Sequence, residues 1–118
     1  MKSALLLEDN PCDIELTCHL LRNFILVSVV SDRHTFITAL VENKFDLIIV
    51  DLCVPSFLEF ETISLAKDYQ PNTPIIVLTG SVSDDQAFKV IKLGAVDYIM
   101  EDRPSRLQSV IKKIFNIV

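Results

Sequence analysis

Three places in the chain set reactive side chains against an apolar background. Glu8 and Asp9 follow the run Ala4 to Leu7, Asp51 follows Leu47 to Val50, and Thr79, Gly80 and Ser81 follow Ile75 to Leu78. A carboxylate at the end of a run of branched apolar residues either lies where water or a cation can reach it, or costs roughly several kcal/mol to bury. Acids and a hydroxyl of this kind suit Mg²⁺ (or Mn²⁺), a hard ion that takes one or two carboxylates, keeps several waters and bridges to phosphate oxygens. Each place also has a plainer reading. Glu8-Asp9 ahead of Asn10-Pro11 is favourable helix-start electrostatics, Asp51 ahead of Val54-Pro55 is turn vocabulary, and Thr79-Gly80-Ser81 is a loop with an N-cap. The two readings part on whether the fold brings the three places together.

The elements that must position them are legible as five short apolar runs, the three above with Leu26 to Val30 and Tyr98 to Met100. Several lack apolar-polar alternation, the mark of strands covered on both faces. Segments of helical length lie between. Leu107, Val110, Ile111, Ile114, Phe115 and Val118 form a sustained apolar stripe, with Arg106, Lys112 and Lys113 left for the wet side. Ala87, Val90, Ile91 and Gly94 repeat the spacing in a shorter helix, started by Ser83 with Asp84 and Asp85 and ended by Gly94. Ile14, Cys18, Leu21 and Ile25 do so after the N-cap Asn10 and the first-turn Pro11. Phe36 with Leu40, and Ile37 with Val41, mark a helix before Asn43, and Phe60 to Tyr69 is placed as a helix mainly by its position in the order. Strand then helix, five times over, predicts an α/β domain with a parallel sheet wrapped by helices on both faces. Ligands of such sheets bind beyond the carboxyl ends of the strands, where Glu8, Asp9, Asp51 and Thr79 are expected.

At 118 residues, half of them apolar, the whole chain 1–118 is expected to be a single domain with a real core. A net charge of −5 argues against a surface built to bind nucleic acid. The three cysteines, Cys12, Cys18 and Cys53, form no C-x-x-C pair, which suits a reduced compartment. The amino terminus is too short in apolar residues for a signal peptide, and no run approaches membrane-spanning length, so a cytoplasmic protein with no membrane contact is expected.

The blocks LLLEDNP, IIVDLCVP, IIVLTGS and LGAVDYI resemble, in order and spacing, those of the response-regulator receiver domain of two-component signalling, over essentially the whole chain. The resemblance implies a doubly wound, five-stranded (βα)5 flavodoxin-like fold. It implies that Asp51 accepts a phosphoryl group from a histidine kinase or phosphotransfer protein, and that Glu8, Asp9, Asp51 and the backbone carbonyl of Cys53 hold Mg²⁺. Thr79 matches the hydroxyl that contacts the phosphoryl group, and Tyr98 the aromatic switch. Output to a downstream effector protein or domain is expected through the last two helices and the last strand, including Lys89, Lys92 and Tyr98. The chain ends at Val118 with no output domain following, so it reads as a stand-alone receiver or as a piece of a longer protein.

Two positions depart from the family pattern. Where the family has lysine then proline, this chain has Glu101 then Asp102. Removing a cation and adding an anion about 5 Å from the phosphoryl group, at an effective dielectric of about 20, is worth roughly 3 kcal/mol for each change. Four consequences stay open: Glu101 swings into solvent and Arg103 approaches the phosphate; the site takes phosphate but couples poorly to the switch; the domain works unphosphorylated; or Glu101 is a solvated loop charge. The second departure is Glu59, where glycine usually relaxes a tight loop, so a different loop path is expected.

His19 and His34 read as surface or packed residues, Cys12 lacks the marks of a nucleophile, and Phe36 and Phe88 read as core or partner-face residues, with core favoured. The leading function is a phosphoacceptor that is not a turnover enzyme. Its alternatives are a receiver-like module that only docks, and a phosphohydrolase with an aspartyl nucleophile. The last would want a second acid two residues on, where Cys53 stands.

Overall fold

A computed structural model describes residues 1–80 and 83–117. Ser81 and Val118, named above in the loop and the last helical stripe, lie outside the described residues. The order is β1 (Ser3–Leu7), α1 (Pro11–Leu21), β2 (Leu26–Val30), α2 (Arg33–Glu42), β3 (Leu47–Asp51), α3 (Glu61–Tyr69), β4 (Ile75–Thr79), α4 (Asp84–Lys92), β5 (Asp97–Met100) and α5 (Ser105–Ile114). The strands form one sheet in the order β2-β1-β3-β4-β5, every pairing parallel. This is the parallel, helix-wrapped sheet expected from the alternation, in the doubly wound (βα)5 flavodoxin-like form that the family resemblance implied.

Side chains of a strand alternate between faces, and the core divides accordingly. On one face Leu5, Leu7, Ile48, Val50, Ile75 and Val77 pack with Phe36 and Leu40 of α2, Ile63 and Ala66 of α3, and Val90 of α4. On the other, Ala4, Leu6, Leu47, Ile49, Ile76, Leu78 and Ile99 pack with Leu21 of α1 and Leu107 and Ile111 of α5. β3 and β4 are buried along their whole length, which is why their sequences are unbroken apolar runs. β2, at the sheet edge, is not covered in this way: Leu26 and Val29 are exposed.

Local chemistry sets the helix ends. The Asn10 side chain accepts hydrogen bonds from the amides of Cys12 and Asp13, with Pro11 in the first turn. Ser83 and Gln86 cap α4 reciprocally, and Gly94 follows that helix at φ 114°, a backbone that glycine adopts without a Cβ penalty. Ile25 lies beyond the end of α1 and is buried there through a turn that returns its amide to the Leu21 carbonyl. Phe36 is core, but Phe88 is not: it is 70% exposed on α4, against the favoured core reading and leaving the partner-face one. The apolar spacing of Ala87, Val90 and Ile91 spans more of the helix than the sheet covers, and only Val90 is fully enclosed.

The loop from β3 to α3 departs from an ideal path, at residues other than Glu59. Ser56 and Phe60 carry positive φ, 77° and 64°, whereas Glu59 is exposed between them. Glu61 ties this loop down, its Oε1 accepting from the Leu58 amide at 3.0 Å and from Arg33 Nη1 at 2.6 Å.

Candidate functional site

The parallel register brings the ends of β1, β3, β4 and β5 to one edge. Leu7 pairs with Val50, Asp51 with Leu78, and Thr79 with Met100, so the next residue out from β1 is Glu8 and the next from β5 is Glu101. The Glu8 amide donates to the Val30 carbonyl at 3.0 Å and the Glu101 amide to the Thr79 carbonyl at 2.9 Å, which extends the sheet's hydrogen bonding by a step on each side.

Glu8 is fully buried, Asp51 is 4% exposed and Thr79 2% exposed. Asp9 is exposed. Oxygens of Glu8, Asp9 and Asp51 lie within 4.8 Å of one another. Asp51 Oδ1 accepts a hydrogen bond from the Cys53 amide at 2.9 Å, which fixes the plane of the carboxylate. Glu8 Oε2 accepts from the amides of Asp9 and Asn10 at 3.1 and 3.4 Å, while Oε1, without solvent access, accepts no hydrogen bond from the described residues.

Bringing these acids together has an electrostatic cost that shows in their proton affinities. Burial, and then the hydrogen bond and charge of Asp51, push Glu8 up to about 8. Glu101 is raised by partial burial and by the charges of Asp51 and Asp13. The Cys53 thiol is also raised, first by desolvation and then by Asp51, Glu101, Glu8 and Asp9, so it is a poor nucleophile. Hard oxygen donors, an unpartnered buried oxygen and converging negative charge together fit a divalent cation such as Mg²⁺.

Tyr98 pairs with Val77 and is half-buried against the α2/α3/α4 core. Cys53 is exposed next to Asp51, its amide turned to that carboxylate. Glu101 faces the site: its Oε2 comes within 3.5 Å of the position a Cβ on Gly80 would take, and its carboxylate lies within 4.8 Å of those of Glu8 and Asp13. Arg103 is exposed and its amide returns to the Met100 carbonyl. The ion pairs among the described residues join Arg33 to Glu61 and Arg106 to Asp97, away from the acidic edge. Asp13 escaped the sequence reading. Its signal was available in the spacing Asn10-x-x-Asp13, which places an acid in the first turn of a capped helix that starts at the site.

The sequence model of the response regulator receiver domain matches residues 4–113. The chain belongs to that family. Among curated relatives it is similar to Transcription factor SKN7 of Saccharomyces cerevisiae, 29% identical over 97 residues that make up 81% of this chain and 16% of the relative. Among solved structures, the BeF3-activated receiver domain of DrrB, a Thermotoga maritima OmpR/PhoB homolog, superposes with a TM-score of 0.88 at 21% identity over 98% of each chain, which shows the shared fold. The phosphorylated cyanobacterial phytochrome response regulator RcpA superposes with a TM-score of 0.77 at 28% identity, over 96% of this chain and 90% of that one. The receiver chain spans 16% and 17% of the lengths of the first curated relatives it matches. Receiver domains are signalling modules of two-component systems, and their acidic pocket binds Mg²⁺. No helix among the described residues is long and apolar enough to cross a membrane.

Proposed function

We propose that Asp51 is the phosphoacceptor of this receiver, taking a phosphoryl group from a histidine kinase or phosphotransfer protein and passing the change to an effector. The observation that carries this reading is the convergence of Glu8, Asp9 and Asp51 within 4.8 Å at the carboxyl edge of a parallel sheet. In this reading a carboxylate oxygen of Asp51 attacks phosphorus as the bond to the donor's imidazole nitrogen breaks, leaving an acyl phosphate on the protein and the proton-accepting imidazole on the donor. Glu8, Asp9, Asp51 and the Cys53 carbonyl would hold Mg²⁺, which draws charge from the transferring oxygens when bound. The Cys53 amide holds Asp51 in one orientation, so the attack needs no rearrangement of the nucleophile. Thr79, on the neighbouring strand, offers its hydroxyl to the phosphoryl oxygens, and Tyr98, two residues before the end of β5, carries the change toward α4.

The chain acts in this reading as a single domain that assists its own phosphorylation and does not turn over an external substrate. It is tested by incubation with Mg²⁺ and a small-molecule phosphodonor, followed by intact mass. One added phosphate on the natural chain and none on Asp51→Asn is expected. A natural chain that gains no mass, although it binds Mg²⁺, would refute phosphotransfer.

The inward orientation of Glu101 favours one second reading, a receiver that docks without being phosphorylated, because it places a carboxylate where the family has a lysine. Glu101→Lys separates the two. Phosphorylation that exists only in this variant supports the docking module.

A further inference from the structure

The acidic edge holds more carboxylate than one ion accounts for. Asp13, in the first turn of α1, and Glu101, just past β5, join Glu8 in a second triad whose oxygens also lie within 4.8 Å of one another. This triad shares only Glu8 with the set Glu8, Asp9 and Asp51. Glu8, Asp13 and Glu101, with Thr17, form the polar side of a cavity of ≈ 30 Å³ whose other walls are apolar, Leu78 and Ile99 among them. That is about the room taken by one water molecule or one partly dehydrated ion.

An acidic cluster in open solvent needs no ligand. This one differs through Glu8, which has no solvent access and whose Oε1 accepts no hydrogen bond from the described residues, Oε2 being engaged by the loop amides. A buried carboxylate oxygen without a donor is held by a proton, as in the metal-free chain, or by a cation that displaces that proton. Among the described residues none supplies a cation there: no Lys or Arg lines the cavity, and the ion pairs lie elsewhere. The Glu101 position adds a negative charge on the same side.

We propose that Glu8, Asp13 and Glu101 form a second site for a hard divalent cation, Mg²⁺ or Mn²⁺. The proposal rests on the reading of Glu8, Asp9 and Asp51 as the first cation site, with Glu8 the carboxylate common to both. Paired divalent ions are a general device for balancing charge where phosphoryl oxygens collect. A cation on the Glu101 side supplies positive charge at the edge where Glu101 itself removes it. Asp13 is what distinguishes this arrangement from a single ion displaced toward Glu101: it gives the second triad a ligand that the first lacks.

Stepwise addition of MnCl2 to the full 118-residue chain, with free Mn²⁺ read by electron paramagnetic resonance, tests the proposal. Two ions per chain are expected, falling to one in Glu101→Gln and to one in Asp13→Asn, with circular dichroism melts showing that both variants fold. A natural chain that binds fewer than two ions, or a Glu101→Gln chain that still binds two, overturns the second site. Intact-mass measurement of phosphorylation, run in parallel, keeps the two ideas apart. A chain that binds one ion and takes phosphate loses the second site only, and a chain that binds two ions and takes no phosphate loses the phosphoacceptor reading only.

Discussion

Asp51 ends an apolar strand because it sits at the sheet's exit, where its neighbours are other acids and a cation can share it. The clearest consequence concerns Glu8. Its proton affinity in the folded, metal-free chain, about 8, stands above the ordinary 4.5, so the native state holds a proton that the unfolded chain releases. Stability of the metal-free protein is therefore expected to be fully present below about 4.5 as far as this group is concerned, and to fall as pH rises through the window up to about 8. Melting temperatures across that range check the slope, and Glu8→Gln, which cannot ionise, should flatten it. Because the ion binds the charged carboxylate, Mg²⁺ affinity is expected to rise over the same window, measurable by calorimetry at fixed ionic strength. An affinity independent of pH there would show that Glu8 is not a ligand.

Among the elements, α1 carries the most function for its length, since its cap and the site grow from the same loop. The Asn10 side chain holds two first-turn amides, those of Cys12 and Asp13. Asn10→Ala is expected to cost about 1 kcal/mol, read from urea denaturation, and to weaken metal binding by loosening the turn that carries Asp9 and Asp13. α4 shows the reverse, an element whose apolar side exceeds its burial. Phe88→Ala should change stability by less than about 0.5 kcal/mol, as for a surface position, whereas Val90→Ala, two residues along the helix but fully enclosed, should cost about 1–3 kcal/mol. Similar losses at both positions in the same denaturation experiment would mean that Phe88 is covered in solution.

At the scale of the whole molecule the sheet acts as a register that turns distant residues into neighbours. Ile49 and Ile76 are paired and fully buried in the same cluster, and they hold β3 and β4 so that Asp51 and Thr79 emerge side by side. Ile49→Ala is expected to cost about 2–5 kcal/mol by leaving a cavity between strand and helices. Saturating Mg²⁺ should offset part of that loss, because an ion that binds only the folded edge raises stability by mass action. Thermal melts of the variant with Mg²⁺ and with chelator measure the offset.

Much of this was readable in the residues. Unbroken apolar runs such as Ile75 to Leu78 marked buried parallel strands, and Asn10-Pro11, Ser83 with Asp84 and Asp85, and Gly94 marked helix ends, because strand burial and helix capping are local matters of side-chain type and backbone freedom. The polar residues following three of those runs located the acidic edge. Other features needed the fold. The exposure of Phe88, the edge position of β2 and the positive φ of Ser56 and Phe60 depend on what packs nearby, and spacing along a helix or strand does not report it. The inward turn of Glu101 and its meeting with Asp13 and Glu8 join residues far apart in the chain. Sequence alone determined which groups carry the charge; the nearness of the first turn of α1 to the ends of β1 and β5 decided which charges share a space, because electrostatic coupling follows distance through the structure and not separation along the chain.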